Sequence, residues 1–163
     1  MLFAERRLFQ DEVDVLWREM DAMKGKSPLP LEIPPPCFHD MQGQFLRYIS
    51  RKGLLVSFPV LEKQLNPIGV MQGGVLAAAF DNTLGPLSYA AAQKAAVTLD
   101  MSQTYLRGVK KGDTLYCEAE VVTRGQRTLY MTASAFDQRG KLSRQFDRFG
   151  FAADVETPDR FLR

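Results

Sequence analysis

A glycine pair followed by a carboxylate is the part of this sequence best suited to chemistry on a carbonyl or a phosphate. Gly73 and Gly74 open an apolar segment that is typical of a helix, and Asp81 follows within that segment. The first N–H groups of a helix have no intrahelical acceptor and lie at the positive end of its dipole, so they can stabilise a phosphate or a developing oxyanion. Glycine also lets a substrate approach the backbone closely. The same two residues equally suit tight packing of a helix on a sheet.

Asp81 favours the catalytic interpretation, because a carboxylate among apolar neighbours is costly to bury without a partner. Three alanines and Phe80 precede it, and Leu84 follows. The sequence therefore predicts a buried Asp81 that acts as a general base or a nucleophile. The alternative is structural: Asp-Asn-Thr suits a helix cap, so Asp81 could begin a second helical stretch.

The spacing between the two groups limits how they could act together. Asp81 lies eight residues after Gly73, which along a helix is about 12 Å. An aspartate side chain is too short to span that distance to its own helix start. If both groups act on one carbonyl, they come from two chains, which predicts a two-fold dimer with paired sites at the interface. Long antiparallel sheet edges are usually covered, and this also favours a dimer.

The first 40 residues differ in pattern from the rest of the chain. Apolar residues recur at helical spacing over residues 3–23, which predicts an amphipathic helix. Five prolines between Ser27 and Pro36 then predict a linker. We therefore divide the chain into residues 1–40, an N-terminal helix with a linker, and residues 41–163, the main domain. We expect the helix either to cover the main domain or to serve as an arm for a partner chain.

After the linker, the pattern is a hairpin, one apolar helix and then a succession of strands. The helix from Gly73 to about Ala92 is apolar all round, which predicts burial on most sides, and Gly85-Pro86 is expected to kink or interrupt it. Glycines separate the later strands, which predicts an antiparallel meander. A curved antiparallel sheet around a central helix, with an extra N-terminal helix, is an α+β hotdog fold. The predicted strands are 44–50, 54–60, 95–105, 114–123, 127–136 and 142–153.

Composition narrows the class of protein. The chain has 163 residues, of which 45% are apolar and 25% charged, and a net charge of +2; these values are typical of one soluble domain without a nucleic-acid surface. No apolar run is long enough to span a bilayer, so we expect no membrane association. Cys37 and Cys117 lie far apart, which favours a reducing, cytoplasmic setting over a disulfide. His39 is the only histidine, which argues against a metal site and suits a surface or packing role.

The spacing of polar residues around the glycine pair resembles that of a known family. Asn66, then Gln72-Gly73-Gly74, then Asp81 is similar to the asparagine, histidine-glycine-glycine and aspartate pattern of PaaI-type hotdog thioesterases, within the 4-hydroxybenzoyl-CoA thioesterase-like superfamily. The segment Thr98–Arg107 resembles that family's strand after the central helix, and Gly112-Asp113 resembles its next turn. The resemblance covers about residues 44–153.

The resemblance implies a role for each matching residue. The Gly73 N–H would polarise the thioester carbonyl, and Asp81 of the neighbouring subunit would act as base or nucleophile. Asn66 would position the carbonyl or the water, and Thr98 of the neighbour would orient the water or the carboxylate. Asn66 as a plain turn residue and Thr98 as an ordinary strand residue are the alternatives. Gln72 replaces the family's histidine; glutamine can donate a hydrogen bond but cannot titrate near neutral pH.

The implied activity is hydrolysis of an acyl- or aryl-CoA to the free acid and CoA by a homodimer, or by a homotetramer formed from two dimers. Coenzyme A would be part of the substrate, with no separate cofactor. Gly74 would lie against the substrate, and a basic turn would either bind the CoA phosphates or be a solvated loop. An acyl-CoA-binding protein without catalysis is the main alternative, and a dehydratase or hydratase that uses His39 is a third. The basic turn contains Arg107, Lys110 and Lys111.

Overall fold

Three helices, six strands and one 3-10 turn form the regular structure of the part of the chain that is described. The structure, a computed structural model, describes residues 2–28, 30–140 and 142–152. The helices are α1 (Gln10–Lys24), α2 (Pro36–Asp40) and α3 (Gly73–Ala92), and the 3-10 turn is Glu62–Gln64. The strands are β1 (Gln44–Ile49), β2 (Gly53–Pro59), β3 (Val97–Tyr105), β4 (Thr114–Arg124), β5 (Thr128–Phe136) and β6 (Leu142–Ala152).

The strands form one antiparallel sheet in the order β1-β2-β4-β5-β6-β3. All six predicted strands are present, and their ends within the described residues agree with the prediction to within two residues; Ala153, the predicted end of the last strand, lies outside the described residues. The meander prediction holds for β4, β5 and β6 but is wrong for β3, which pairs with β6 at the far edge of the sheet instead of with β4. The 20-residue α3 explains this, because a helix about 30 Å long can carry the chain across four strand spacings.

The central helix α3 packs on one face of this sheet, and alternate strand residues point towards it. In β2, Leu54, Val56 and Phe58 belong to the main core with α3, whereas Leu55 points to the other face. Leu55 packs there against Phe3 of the N-terminal segment. Since both faces of β2 are covered, six of its seven residues are buried, rather than every second residue as in a half-exposed strand.

The N-terminal helix α1 covers the same core. The buried residues of α1 recur every three or four positions and so share one face of the helix, on which Leu16 and Met20 are completely buried. The helix begins at Gln10, so the prediction of a helix from residue 3 is wrong for the first seven residues. Tertiary contacts hold this segment in a non-helical path: Phe3 packs on the outer face of the sheet, and the Phe9 N–H donates to the Leu46 carbonyl at 2.8 Å. The division at residue 40 stays a prediction.

Two glutamates of α1, Glu12 and Glu19, hold the helix against β1 and the residue that follows it. The Arg47 guanidinium makes two hydrogen bonds to Glu12, of 2.8 and 2.9 Å. The Tyr48 hydroxyl donates to Glu19 at 2.5 Å, and the Ser50 hydroxyl donates to the other oxygen of Glu19 at 2.6 Å. Because the tyrosine is buried, its hydroxyl needs such a partner.

The helix α3 continues through Gly85 and Pro86, so the predicted interruption does not occur. Asp81 lies inside this continuous helix, and its alternative role as the cap of a second helix is therefore wrong. Proline removes one backbone donor and is costly in a helix. Burial offsets that cost, because Leu84 and Leu87 on either side of the proline are completely inaccessible to solvent. The Ser88 hydroxyl also donates to the Gly85 carbonyl at 2.7 Å.

Candidate active site

Asp81 and Thr98 are in direct contact. The Thr98 hydroxyl of β3 donates to Asp81 Oδ1 of α3 at 2.9 Å. Both residues are exposed on the single chain, so the prediction of a buried Asp81 is wrong for one chain on its own. The contact leaves the carboxylate fixed at one oxygen and open to solvent, which suits a group that must reach a water molecule or a substrate.

Asp81 belongs to a stripe of α3 that the chain's own sheet does not bury. We call this the open stripe; its members recur every three or four residues, so they share one face of the helix. Apart from Asp81 and Tyr89 they are small, which allows another element to approach the helix backbone closely. The open stripe consists of Gly74, Ala78, Asp81, Gly85 and Tyr89.

Burial raises the pKa of the Tyr89 phenol, and the negative charge of Asp81 raises it further. The hydroxyl is therefore protonated at neutral pH and is available as a hydrogen-bond donor on the same face as the carboxylate. The half-buried position of Tyr89 on the open stripe separates it from Phe58, Phe80 and Leu84, which are completely buried.

The start of α3 is held in place by the segment before it. Gln72 precedes the helix in an extended conformation, with φ −65° and ψ 141°, and its N–H donates to the Gln64 carbonyl at 2.8 Å. Its carbonyl accepts the first helical hydrogen bonds, from Val75 and Leu76. The Gln72 side chain makes no capping hydrogen bond. Its Oε1 lies over Gly74 instead, 3.2 Å from where a Cβ would be, so a larger residue at 74 would crowd the amide.

Asn66 shapes the turn that leads to this helix. Its Oδ1 accepts from the N–H groups of Ile68 and Val70, at 3.1 and 3.2 Å. Gly69 completes the turn with φ +79°, a conformation that favours glycine. These contacts are those of a turn residue, the alternative that the sequence left open. A role for Asn66 on substrate stays a prediction.

Gly73 lies beneath an aromatic ring that sequence analysis did not single out. The Tyr105 hydroxyl donates to the Gly73 carbonyl at 3.0 Å, and Gln103 Nε2 donates to the same hydroxyl at 3.0 Å. A Cβ at position 73 would lie 2.9 Å from the Tyr105 ring, so this contact requires glycine. The signal available in the sequence was the two-residue spacing of Gln103 and Tyr105, which puts both side chains on one face of the predicted strand.

The basic turn runs beside the segment that precedes α3. The Met71 N–H donates to the Val109 carbonyl at 2.8 Å, and Val70 pairs with Lys110 in an isolated antiparallel bridge. Arg107, Lys110 and Lys111 are all exposed. The Lys111 ammonium forms an ion pair with Glu62 at 2.8 Å, which weakens its case as a phosphate ligand relative to the other two cations.

His39 and the cysteines lie outside this group of residues. His39 is exposed on α2, where its ring meets the Phe38 ring edge-on, with centroids 6.0 Å apart. Cys117 is buried in the core, and the Cys37 sulfur accepts a hydrogen bond from the Asn82 amide at 3.4 Å. Among the described residues, no three side chains of the usual metal-binding types come together. Within the same residues, no helix has the length and apolar character to cross a membrane.

The residues that carry this geometry match a protein family. Residues 68–143, which include α3 and the Asp81–Thr98 contact, match the family model described as the thioesterase superfamily. A comparison with curated proteins found no match.

Three solved structures illustrate the shared fold. The PaaI protein from the phenylacetic acid degradation operon of E. coli is 20% identical, with a TM-score of 0.74 over 88% of this chain and 96% of that chain. A conserved protein of Pseudomonas aeruginosa is 26% identical, with a TM-score of 0.66 over 72% of this chain and 93% of that chain. A hypothetical thioesterase of Streptococcus pneumoniae TIGR4, solved with coenzyme A, is 24% identical, with a TM-score of 0.63 over 68% of this chain and 86% of that chain.

Further structures of the Streptococcus pneumoniae protein carry alanine in place of one aspartate or of one threonine. The family match and the structural likeness agree with the fold that the sequence predicts: an antiparallel sheet around the long helix α3, with the additional helix α1. The chain has the hotdog fold of these solved structures, and its residues 68–143 match the thioesterase superfamily.

Proposed function

We propose that this chain hydrolyses an acyl- or aryl-CoA thioester to the free acid and CoA. The observation that carries the proposal is the contact between Thr98 and Asp81 on the open stripe of α3, the helix whose first residue is Gly73. A fixed, solvent-accessible carboxylate can activate water or attack an acyl carbon, and a helix start can stabilise the oxyanion that results.

Two chains build each site in this proposal. Gly73 and Asp81 lie on one continuous helix, so they are about 12 Å apart along its axis and cannot both reach one carbonyl. A two-fold dimer that brings the open stripes together solves this problem, because the helix start of each chain then meets the carboxylate of the other. Such a dimer would also bury Asp81, as the sequence predicts.

The edge strand supports the same dimer. On its outer side β3 has no neighbour among the strands of the described chain, and it also exposes Leu99, which is 54% accessible. An unpaired edge beside an apolar side chain is a liability that a second copy would cover. We therefore propose a homodimer whose interface contains β3 and the open stripe, with a homotetramer of two such dimers as a further level of assembly.

The hydrolysis can be written with each proton assigned. Asp81 of one chain takes a proton from water while the water oxygen bonds to the thioester carbon, and the oxyanion lies at the Gly73 N–H of the other chain. Collapse of the intermediate breaks the C–S bond, and Asp81 returns the proton to the departing CoA sulfur. If Asp81 attacks directly instead, its bond to the acyl carbon replaces the C–S bond, and CoA leaves as the thiolate. Water then hydrolyses the anhydride to the free acid and the Asp81 carboxylate, and the proton released goes to the CoA sulfur. Thr98 orients the carboxylate by its bond to Oδ1.

Two other groups of residues have roles in this proposal. Gln72 orients the carbonyl or the water by hydrogen bonding and takes no part in proton transfer, since an amide does not titrate near neutral pH. Gly74 lets the thioester lie close to the helix start, beside the Gln72 amide. Arg107 and Lys110, exposed next to the segment before α3, are placed to attract the phosphates of CoA.

The direct test is thiol release from a panel of acyl- and aryl-CoAs by the wild-type chain and by Asp81→Asn. Loss of a general base or nucleophile should lower kcat at least 100-fold, while the variant keeps the wild-type assembly. Asp14→Asn is the matched control, because Asp14 is an exposed carboxylate on α1. Turnover that is equal in wild type and Asp81→Asn would refute the catalytic assignment.

A protein that binds acyl-CoA without hydrolysing it is the second candidate, and the observation that favours it is Gln72 at the start of α3. It predicts thermal stabilisation by acyl-CoA, which follows from preferential binding to the folded state, together with no turnover of any thioester in the panel. Stabilisation without turnover would replace the enzyme with this candidate, and Asp81-dependent turnover would dispose of it.

A further inference from the structure

A short chain of hydrogen bonds ends on the first peptide unit of α3. Gln103 Nε2 donates to the Tyr105 hydroxyl, and that hydroxyl donates to the Gly73 carbonyl; both distances are 3.0 Å. The Gly73 carbonyl and the Gly74 N–H belong to the same peptide unit. A hydrogen bond received by the carbonyl therefore acts on the N–H at the other end of that unit.

Polarisation runs in a known direction along such a chain. When a peptide carbonyl accepts a hydrogen bond, its N–H becomes a better donor, and successive hydrogen bonds strengthen one another by about 10–30% each. The second effect is geometric. The Tyr105 ring lies against Gly73, where a Cβ would come within 2.9 Å of it, so ring and hydroxyl together fix the orientation of the peptide plane.

The Gln103 amide points to a functional reason for this arrangement. Its Oε1 is buried and has no hydrogen-bond partner among the described residues, and a buried acceptor without a donor costs stability. An apolar side chain of similar size would avoid that cost. What the amide supplies is its NH2 group, which occupies a lone pair of the Tyr105 oxygen and leaves the hydroxyl proton for Gly73.

We propose that Tyr105, oriented by Gln103, is a positioning residue that sets the direction and donor strength of the Gly74 N–H, making this N–H a second donor to the reacting carbonyl beside that of Gly73. The proposal rests on the proposed thioester hydrolysis for its kinetic consequence. The hydrogen-bond relay itself has a consequence that does not depend on turnover, because a weakened donor changes its own amide resonance.

The spectroscopic test uses a peculiarity of the sequence. Gly73-Gly74 is the only Gly-Gly pair in the chain, so in protein labelled with glycine carrying 13C at the carbonyl and 15N, only the Gly74 amide is coupled to a labelled carbonyl. Tyr105→Phe keeps the ring and removes the hydroxyl. We expect the Gly74 proton to move upfield in this variant. Gln103→Glu should have the same effect, because a carboxylate accepts the tyrosine proton and turns the hydroxyl away from Gly73.

The control variant is Tyr116→Phe. The Tyr116 ring packs against Arg6, whose Cζ lies 5.6 Å from the ring centroid, so this change should leave the Gly74 resonance in place. A Gly74 resonance that is the same in wild type, Tyr105→Phe and Gln103→Glu would overturn the inference, whether or not the protein is an enzyme. Absence of turnover in the wild type would instead overturn the proposed function, so the two failures are distinguishable.

The kinetic test separates positioning from general damage. Tyr105→Phe and Gln103→Glu should each lower kcat about tenfold, below the roughly 100- to 1000-fold cost of deleting an oxyanion donor outright, with KM and melting temperature close to the wild-type values. A purely structural role would lower the melting temperature or raise KM and leave kcat unchanged, and that pattern would contradict the proposal. A Gln103→Asn variant with a shifted Gly74 resonance and part of the wild-type kcat would support the proposal, because asparagine keeps the amide group on a side chain one methylene shorter.

Discussion

Replacing Leu16 with alanine tests whether the N-terminal helix is an integral part of the fold. Leu16 lies on the face of α1 that packs against the rest of the core, and it is completely buried. Truncation of a buried leucine costs about 2–5 kcal/mol, because the lost transfer free energy adds to that of the cavity. For a chain of this size each kcal/mol lowers the melting temperature by about 2–4 °C. A loss of about 3 kcal/mol therefore predicts a fall of about 6–12 °C.

The assay is thermal and urea unfolding of wild type and Leu16→Ala at one protein concentration. We expect a single cooperative transition in both, displaced in the variant. Leu8→Ala is the matched control; Leu8 is 41% exposed, and its loss should change the free energy of unfolding by less than about 0.5 kcal/mol. A separate early transition in Leu16→Ala, with the main transition unmoved, would refute the reasoning and make residues 1–40 an independent unit.

Three further predictions concern individual polar contacts. The Arg47 guanidinium lowers the pKa of Glu12 from 4.5 by hydrogen bonding. The stability that Glu12 contributes is therefore present above about pH 4.5 and is lost as the pH falls through the lowered pKa. In acid titrations, the difference in unfolding free energy between wild type and Glu12→Gln should shrink below about pH 4.5. Tyr48→Phe should cost about 1–2 kcal/mol in urea unfolding, because it removes a buried hydroxyl with a charged partner. Thr98→Val should lower kcat about tenfold in the thiol-release assay, since Asp81 loses its orienting donor. Stability should change little, because valine has nearly the same shape as threonine and suits a strand equally well.

Local pattern was sufficient for the strands and for the central helix of this fold. Strand ends were predictable because glycine turns and β-branched or aromatic residues mark them directly, as at Gly53 and Gly125. The place of β3 in the sheet was not, since pairing with β6 instead of β4 depends on where a long helix delivers the chain. The path of residues 3–9 was missed for a related reason. Phe9 fits a helical period, but its N–H donates to the Leu46 carbonyl of β1, and Phe3 packs on the outer face of the sheet.

The candidate site shows the same limit. The sequence brought Asp81 and Thr98 into one hypothesis, and they are in contact. It predicted that Asp81 is buried, whereas the structure leaves the carboxylate exposed, because the apolar neighbours of Asp81 in the sequence lie on other faces of the helix. The two-residue spacing of Gln103 and Tyr105 puts both side chains on one face of the predicted strand, but it does not indicate what that face meets. Only the fold brings them to Gly73.

The central claim is that each site combines the helix start of one chain with Asp81 of another. Two inactive parents can test it: Asp81→Asn removes the carboxylate, and Gly73→Pro removes the N–H. Proline suits the first position of a helix, and Gln72, with ψ 141°, already has the extended conformation that a following proline requires. The exposed Tyr105 ring must move aside for the proline Cβ, so this parent loses the Tyr105 contact together with the N–H. Each parent alone should be inactive.

The decisive measurement is thiol release by the heterodimer of these two parents, isolated through a different affinity tag on each chain. A shared site predicts that one of its two sites contains both intact groups, so it should recover about half of the wild-type activity. A heterodimer as inactive as its parents would contradict the account, because the two groups would then have to act within one chain.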